Sequence, residues 1–156
     1  MKFWLGNQAS FDAVQEALAL VQQKYAGQDP TQVTSDLLTV QDGVGIVTVK
    51  GNLVEGSAGW GKFFGNVGYD DIAKALVEAL KHPEVSSILL NISSGGGSAH
   101  GVQETSKLIG RVSKIKPVVS FTSSTQASAA LWLGAHVKHA VVGETAMTGS
   151  LGVVMV

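Results

Sequence analysis

The sequence predicts an α/β domain built on a mostly parallel sheet with flanking helices. Three observations carry this. From Val44 onward, β-branched runs alternate with stretches of helical periodicity. A glycine-rich loop follows one of the strand-like runs and leads directly into a helix. The 156 residues suffice for one domain of ordinary size, with no long-period repeat or low-complexity tract.

In order, "SFDAVQEALALVQQKY" places Phe11, Val14, Leu18 and Val21 at helical spacing, with Ser10 as N-cap and Asp12 in the first turn. "AGQDPTQ" breaks that helix, and a short second helix is expected over Thr31 to Leu38. Residues 1–42 therefore read as an N-terminal helical segment and residues 43–156 as the main unit. "VGIVTVKG" is a buried strand near 44–50. "NLVEGSAGWGKFFGNVGY" is a glycine-rich loop carrying Trp60, Phe63 and Phe64, an aromatic cluster that packs locally or lines a groove. "DDIAKALVEALKH" is a helix near 69–82, with Asp70 and Asp71 at its positive end and Lys81 and His82 at its negative end. A strand near 86–92 leads to "SSGGGSAHG", then a helix near 99–114, a strand near 117–122 and a helix near 127–136. "KHAVVG" and "GVVMV" are strands. The run ending at Val156 reads as an interior strand, so the domain is expected to be truncated at its C-terminal side.

The composition excludes several classes of function. A formal net charge of −1 gives no electrostatic case for nucleic acid or an anionic membrane. Without cysteine there are no disulfides or thiolate metal sites. The four His are scattered, no pair has H-x-x-x-H spacing, and no metal or cofactor is expected. The start "MKFWLGNQASFD" falls short of the apolar core of roughly 7–15 residues that a secretory signal needs. No run approaches the ~20 apolar residues of a membrane span. A cytoplasmic protein is expected. The low charged share, 15% against 45% hydrophobic, points to surface buried between subunits of a homo-oligomer.

Two stretches can carry chemistry. The glycines of "SSGGGSAHG" let backbone N–H groups approach a substrate oxygen, and the same loop reads equally as a flexible turn. It matches neither a P-loop nor G-x-G-x-x-G. The helix "SSTQASAALWLGA" is crowded with small residues. Its Ser128 can be a nucleophile exposed at the helix start, although a helix cap is the commoner role for Ser there.

Taken together and in order, "ILLNISSGGGSAHGV", "KPVVSFTSSTQASAALWLGA" and "GETAMTGSLGVVMV" resemble the signal peptide peptidase family of serine proteases. The phage capsid-assembly (prohead) proteases are the branch most similar in character, within the ClpP/crotonase-like superfamily. The resemblance covers roughly Val44 to Val156. It implies Ser128 as nucleophile, Gly96 and Gly97 as the oxyanion hole, and Thr148, Gly149, Ser150 and Gly152 as lining of the groove that takes a substrate strand. It also implies a polypeptide substrate such as a phage scaffold or portal protein, ring-like oligomers, no cofactor, and residence in a prohead or the host cytoplasm.

There are departures from the family pattern. Asn91 stands where the family often has Asp, and Gly95 where it has Pro. The family's general base is a Lys well downstream of the Ser, and the sole Lys after Ser128 is Lys138, which does not match it. The His of the related Clp-type triad has no counterpart between Ala140 and Val156 either. The base is expected beyond residue 156. Two other functions fit the same residues: a non-catalytic peptide-binding or assembly module, and a crotonase-type acyl-CoA enzyme with Glu104 or Glu144 as its carboxylate.

Overall fold

The computed structural model describes residues 3–6, 37–152 and 154–155. The strands are β1 (Phe3–Gly6), β2 (Leu38–Gln41), β3 (Val44–Lys50), β4 (Asn52–Val54), β5 (Asn66–Gly68), β6 (Ser87–Ser93), β7 (Gly96–Ser98), β8 (Val118–Thr122), β9 (Thr125–Ala127), β10 (His139–Val142), β11 (Met147–Gly149) and β12 (Val154–Met155). The helices are α1 (Tyr69–Lys81), α2 (Val102–Val112) and α3 (Ala129–Gly134).

The central sheet has the order β10-β8-β6-β3-β2. Its first four strands are mutually parallel and β2 runs antiparallel at the edge. In β3 and β6 the fully buried residues alternate, Val47 and Val49 in one and Ile88, Leu90 and Ile92 in the other. One face of these strands is sealed and the other is half-covered. The helices explain the sealed face. Tyr69, Ile72, Ala75, Leu76 and Ala79 form one stripe of α1, and Val102, Thr105, Ile109 and Val112 one stripe of α2. α1 packs on β2 and β3, α2 lies between α1 and α3, and α3 packs on β6, β7 and β9. Lys116 Nζ donates to the carbonyls of Ala79 and His82 and so caps the end of α1.

A second sheet has the order β12-β1-β7-β4-β5, and β9 and β11 form a two-stranded parallel pair. β6 leads into β7 through Ser94, which bridges to Gln126 of β9.

The strands predicted near 44–50, 86–92 and 117–122 and the three helices of the main unit are present, with helix ends trimmed by up to three residues, and "KHAVVG" and "GVVMV" hold β10 and β12. Of the segment before residue 43 that is expected to be helical, residues 3–6 and 37–42 are described. Residues 3–6 and 38–41 are strands, and the boundary placed after residue 42 cuts a β2–β3 hairpin. Its turn is Asp42 (φ 49°) and Gly43 (φ 79°), the left-handed pair that a two-residue hairpin requires. The helix predicted from Ser10, and the one from Thr31 up to its last two residues, fall outside the described residues. Of those two, Leu37 is irregular and Leu38 opens β2. The stretch read as a loop over 52–69 holds β4, β5 and a 3₁₀ turn, Gly59–Phe64. Asp71, buried at the start of α1, fastens it by accepting Ser57 Oγ–H (2.7 Å) and Ala58 N–H (2.8 Å). The aromatic cluster packs locally there, with the Trp60 and Phe63 rings 5.8 Å apart.

Leu90 sits at the centre of β6 with 1% of its surface exposed. Leu90→Ala is expected to lower unfolding free energy by about 3 kcal/mol, read from urea denaturation. A loss below about 1 kcal/mol would mean that the sealed face of β6 is not the core.

Candidate active site

Two strand ends converge. At the end of β6, Ser94 is buried, its N–H donates to Thr125 O (2.7 Å), and its carbonyl accepts Ala127 N–H (3.1 Å). This clamps the glycine loop to β9. Gly96 then adopts φ 106°, a conformation open to glycine, and its N–H donates to Ser94 Oγ (3.1 Å). Gly97 lies so close to β4 that an added Cβ would sit 2.0 Å from Leu53 O. Beyond it, Tyr69 Oη–H donates to Ser98 O (2.6 Å), and burial pushes the Tyr69 phenol far above its ordinary pKa, so it remains a donor.

Ser128 joins β9 to α3. Its φ of 54° and ψ of −122° fall outside the allowed regions for a residue with a Cβ, left-handed helix included. Such a backbone costs on the order of 1–3 kcal/mol and persists only where the surroundings enforce it. Here the N–H of Ser128 donates to Gly149 O (2.8 Å) and its carbonyl accepts Trp132 N–H (3.0 Å). Ser128 is only 5% exposed, and its Oγ is buried without a hydrogen-bond partner. An unmade hydrogen bond on a buried hydroxyl costs roughly 1–3 kcal/mol more. A residue kept only to cap a helix would be expected to make a cap bond, and Ser128 makes none.

A groove of about 530 Å³ opens over this residue. It is lined by Ser128, Leu131, Trp132, Ala135, His136, Ser150, Leu151 and Gly152. Of the four residues assigned to groove lining, Ser150 and Gly152 border it. Thr148 and Gly149 instead form β11, which runs parallel to β9 in the register Thr148↔Gln126 and Gly149↔Ala127. The sequence reading missed Leu131, Trp132, Ala135 and His136. Their signal was present, since positions three, four, seven and eight after Ser128 share one helical face. His136 is not hydrogen-bonded to Ser128 Oγ, and its Nδ1 lies 3.1 Å from Trp132 O. Lys138 is exposed at the entry to β10. Glu104 lines a separate groove with Glu55, Tyr69, Asp70, His100 and Arg111, and Glu144 is exposed in the turn after β10. Among the described residues, no three His, Asp or Glu side chains gather to hold a metal ion, and no helix is long and apolar enough to cross a membrane.

No protein-family model matches the chain. Among solved structures, the fold resembles that of a probable enoyl-CoA hydratase from Mycobacterium smegmatis, with TM-score 0.54, 15% identity, and 75% of this chain and 52% of that one covered. A putative enoyl-CoA hydratase/isomerase from Acinetobacter baumannii gives TM-score 0.55 at 18% identity, covering 73% and 52%. The fold is of the ClpP/crotonase type. At these identities the likeness concerns the fold alone. In sequence, the chain is 32% identical over 149 residues to the head-tail preconnector protein GP5 of Enterobacteria phage P21, covering 96% of this chain and 29% of that protein. It is 33% identical over 141 residues to the capsid assembly protease C of Escherichia phage lambda (90% and 32%), and 27% identical over 115 residues to Protease 4 of Haemophilus influenzae (73% and 18%). The chain thus spans less than a third of the length of these curated relatives.

The close seat of Gly97 gives a contrast between two glycines. Gly97→Ala forces a Cβ into backbone and is expected to cost about 1–3 kcal/mol. Gly110→Ala, in α2, meets nothing nearer than 4.0 Å and is expected to add about 0.5–1 kcal/mol. Thermal unfolding of both variants checks this. Equal effects would contradict the β7–β4 approach.

Proposed function

We propose that the protein is a serine-type endopeptidase of the signal-peptide-peptidase kind, in its phage prohead branch, with Ser128 as nucleophile. The observation that carries this reading is Ser128 itself: a strained backbone and a buried, unpartnered hydroxyl on the wall of a groove, next to a glycine loop. Relatives that are named proteases support a peptidase. The resemblance of the three motifs supports the Ser-Lys type.

In this mechanism Ser128 Oγ attacks the scissile carbonyl carbon while its proton passes to a base. The carbonyl oxygen becomes an oxyanion, which takes N–H bonds from Gly96 and Gly97. For Gly96 this means exchanging Ser94 Oγ for the oxyanion. The C–N bond then breaks, the base returns the proton to the leaving amine, and water releases the acyl group by the reverse sequence. The base is a Lys supplied from outside the 156 residues, desolvated so that it gives up its proton near neutrality. The substrate is an extended polypeptide of an assembling capsid, such as a scaffold or portal protein, processed in the prohead or host cytoplasm. Trp132, Val141, Val142, Met147 and Leu151 are exposed apolar side chains and support subunit contacts near the site.

The test is peptide hydrolysis by the 156-residue chain, by a longer product carrying the downstream Lys, and by that product with Ser128→Ala. The short chain is expected to be nearly inactive and the longer one active, with the substitution lowering its rate by about 10⁴-fold or more. Ser128-dependent turnover by the short chain would refute the external base, and an active Ser128→Ala variant would refute the nucleophile.

A further inference from the structure

The second sheet contains a strand that neither the fold nor the catalytic reading requires. β1 lies between β7 and β12, antiparallel to both. Its register against β7 is Trp4↔Ser98, Leu5↔Gly97 and Gly6↔Gly96, and against β12 it is Phe3↔Met155 and Trp4↔Val154. Each neighbour continues a segment that holds Ser128. β7 follows Ser94, whose carbonyl accepts the N–H of Ala127, the residue before Ser128. β12 follows Gly149, which accepts the N–H of Ser128, and Ser150 and Gly152, which border its groove.

An extended peptide presented to Ser128 needs main-chain partners on both sides of its path. Pairing of that kind gives affinity, and register decides which peptide bond meets the nucleophile. β7 and β12 are the strands placed to supply it, and β1 fills the slot between them. The direction also fits. From Phe3 to Gly6 the chain runs from Ser98 toward Gly96, so that its C-terminal end points at the Ser94–Gly95 turn clamped to the Ser128 strand.

We propose that residues Phe3–Gly6 are a ligand in cis of the peptide cleft, occupying the place of a substrate's acyl-side strand and competing with peptides that enter it. This rests on the peptidase reading for the meaning of the cleft. Occupation by the chain's own strand is a statement about binding and stands apart from Ser128 chemistry. A tethered competitor acts at an effective concentration in the millimolar range, so a peptide of modest affinity is held off until the strand leaves.

The sequence contains no cysteine, which makes a clean test available. The double variant Trp4→Cys/Ser98→Cys joins two residues that face each other in the register. Its binding of a fluorescent extended peptide containing Phe-Trp-Leu-Gly is measured by anisotropy, alongside the parent and a variant lacking residues 1–6. The oxidised double variant is expected to bind no peptide and to regain parental binding on reduction. The truncated variant is expected to bind about tenfold more tightly than the parent, or more so. If the truncated protein fails to fold, the redox pair decides. Failure of the disulfide to form, equal binding by oxidised and reduced forms, or equal binding by parent and folded truncated protein would overturn the proposal. Loss of Ser128 reactivity toward an acylating probe with this binding pattern intact would instead overturn the peptidase reading.

Discussion

Ser128 is held in a backbone conformation that a residue with a Cβ resists, and the neighbouring structure enforces it. Two bonds act on the residue itself, from its N–H to Gly149 O and to its carbonyl from Trp132 N–H. Two more fix the strand before it, between Ser94 and the backbone of Thr125 and Ala127, and Met147 N–H to Ser124 O brings β11 alongside. Each such bond contributes about 0.5–1.5 kcal/mol net, so several are needed to offset a strain of on the order of 1–3 kcal/mol and an unpartnered hydroxyl. All are backbone bonds. The clamp therefore depends on strand register more than on particular side chains.

Register in turn depends on the core. β6 and β8 are fixed by the sealed face under the helices, and their ends carry the glycine loop and β9 to one place. Small residues allow the close fit around α3. A Cβ on Gly134 would meet Gln126 Nε2 at 2.0 Å, and Ser120 Oγ reaches Gly134 O at 3.0 Å. The crowd of Ala and Gly after Ser128 thus seats the helix tightly over the sheet while leaving its outer face, with Leu131, Trp132 and Ala135, to the groove.

Much of this is legible in the sequence. β-branched runs at 44–50, 87–93 and 118–122 and apolar stripes in α1 and α2 are long enough for periodicity to decide them. The Asp42–Gly43 turn is also legible, since Asp-Gly between two strand-like runs is a strong hairpin signal, and it joins β2 to β3 across the boundary expected after residue 42. Three-residue strands such as β4, β7, β9 and β11 leave no periodic trace, because partners distant in sequence define them. The same holds for the site. Motif order singles out Ser128, Gly96 and Gly97. The positive-φ backbone of Ser128 and the seat of β1 arise from long-range pairing, and the Ser94 hydroxyl meets the Gly96 N–H through a tight local turn that leaves no periodic trace.

The proposed peptidase activity depends on Ser128 acting as a nucleophile that faces the glycine loop. Its most direct test is a crystal structure of the protein after treatment with a serine-acylating phosphonate. The expected result is a covalent bond to Ser128 Oγ, with the phosphonyl oxygen turned toward the Gly96 and Gly97 N–H groups and the Ser94 hydroxyl released from Gly96. An adduct on another residue, or one on Ser128 whose oxygen points away from that loop, would contradict it.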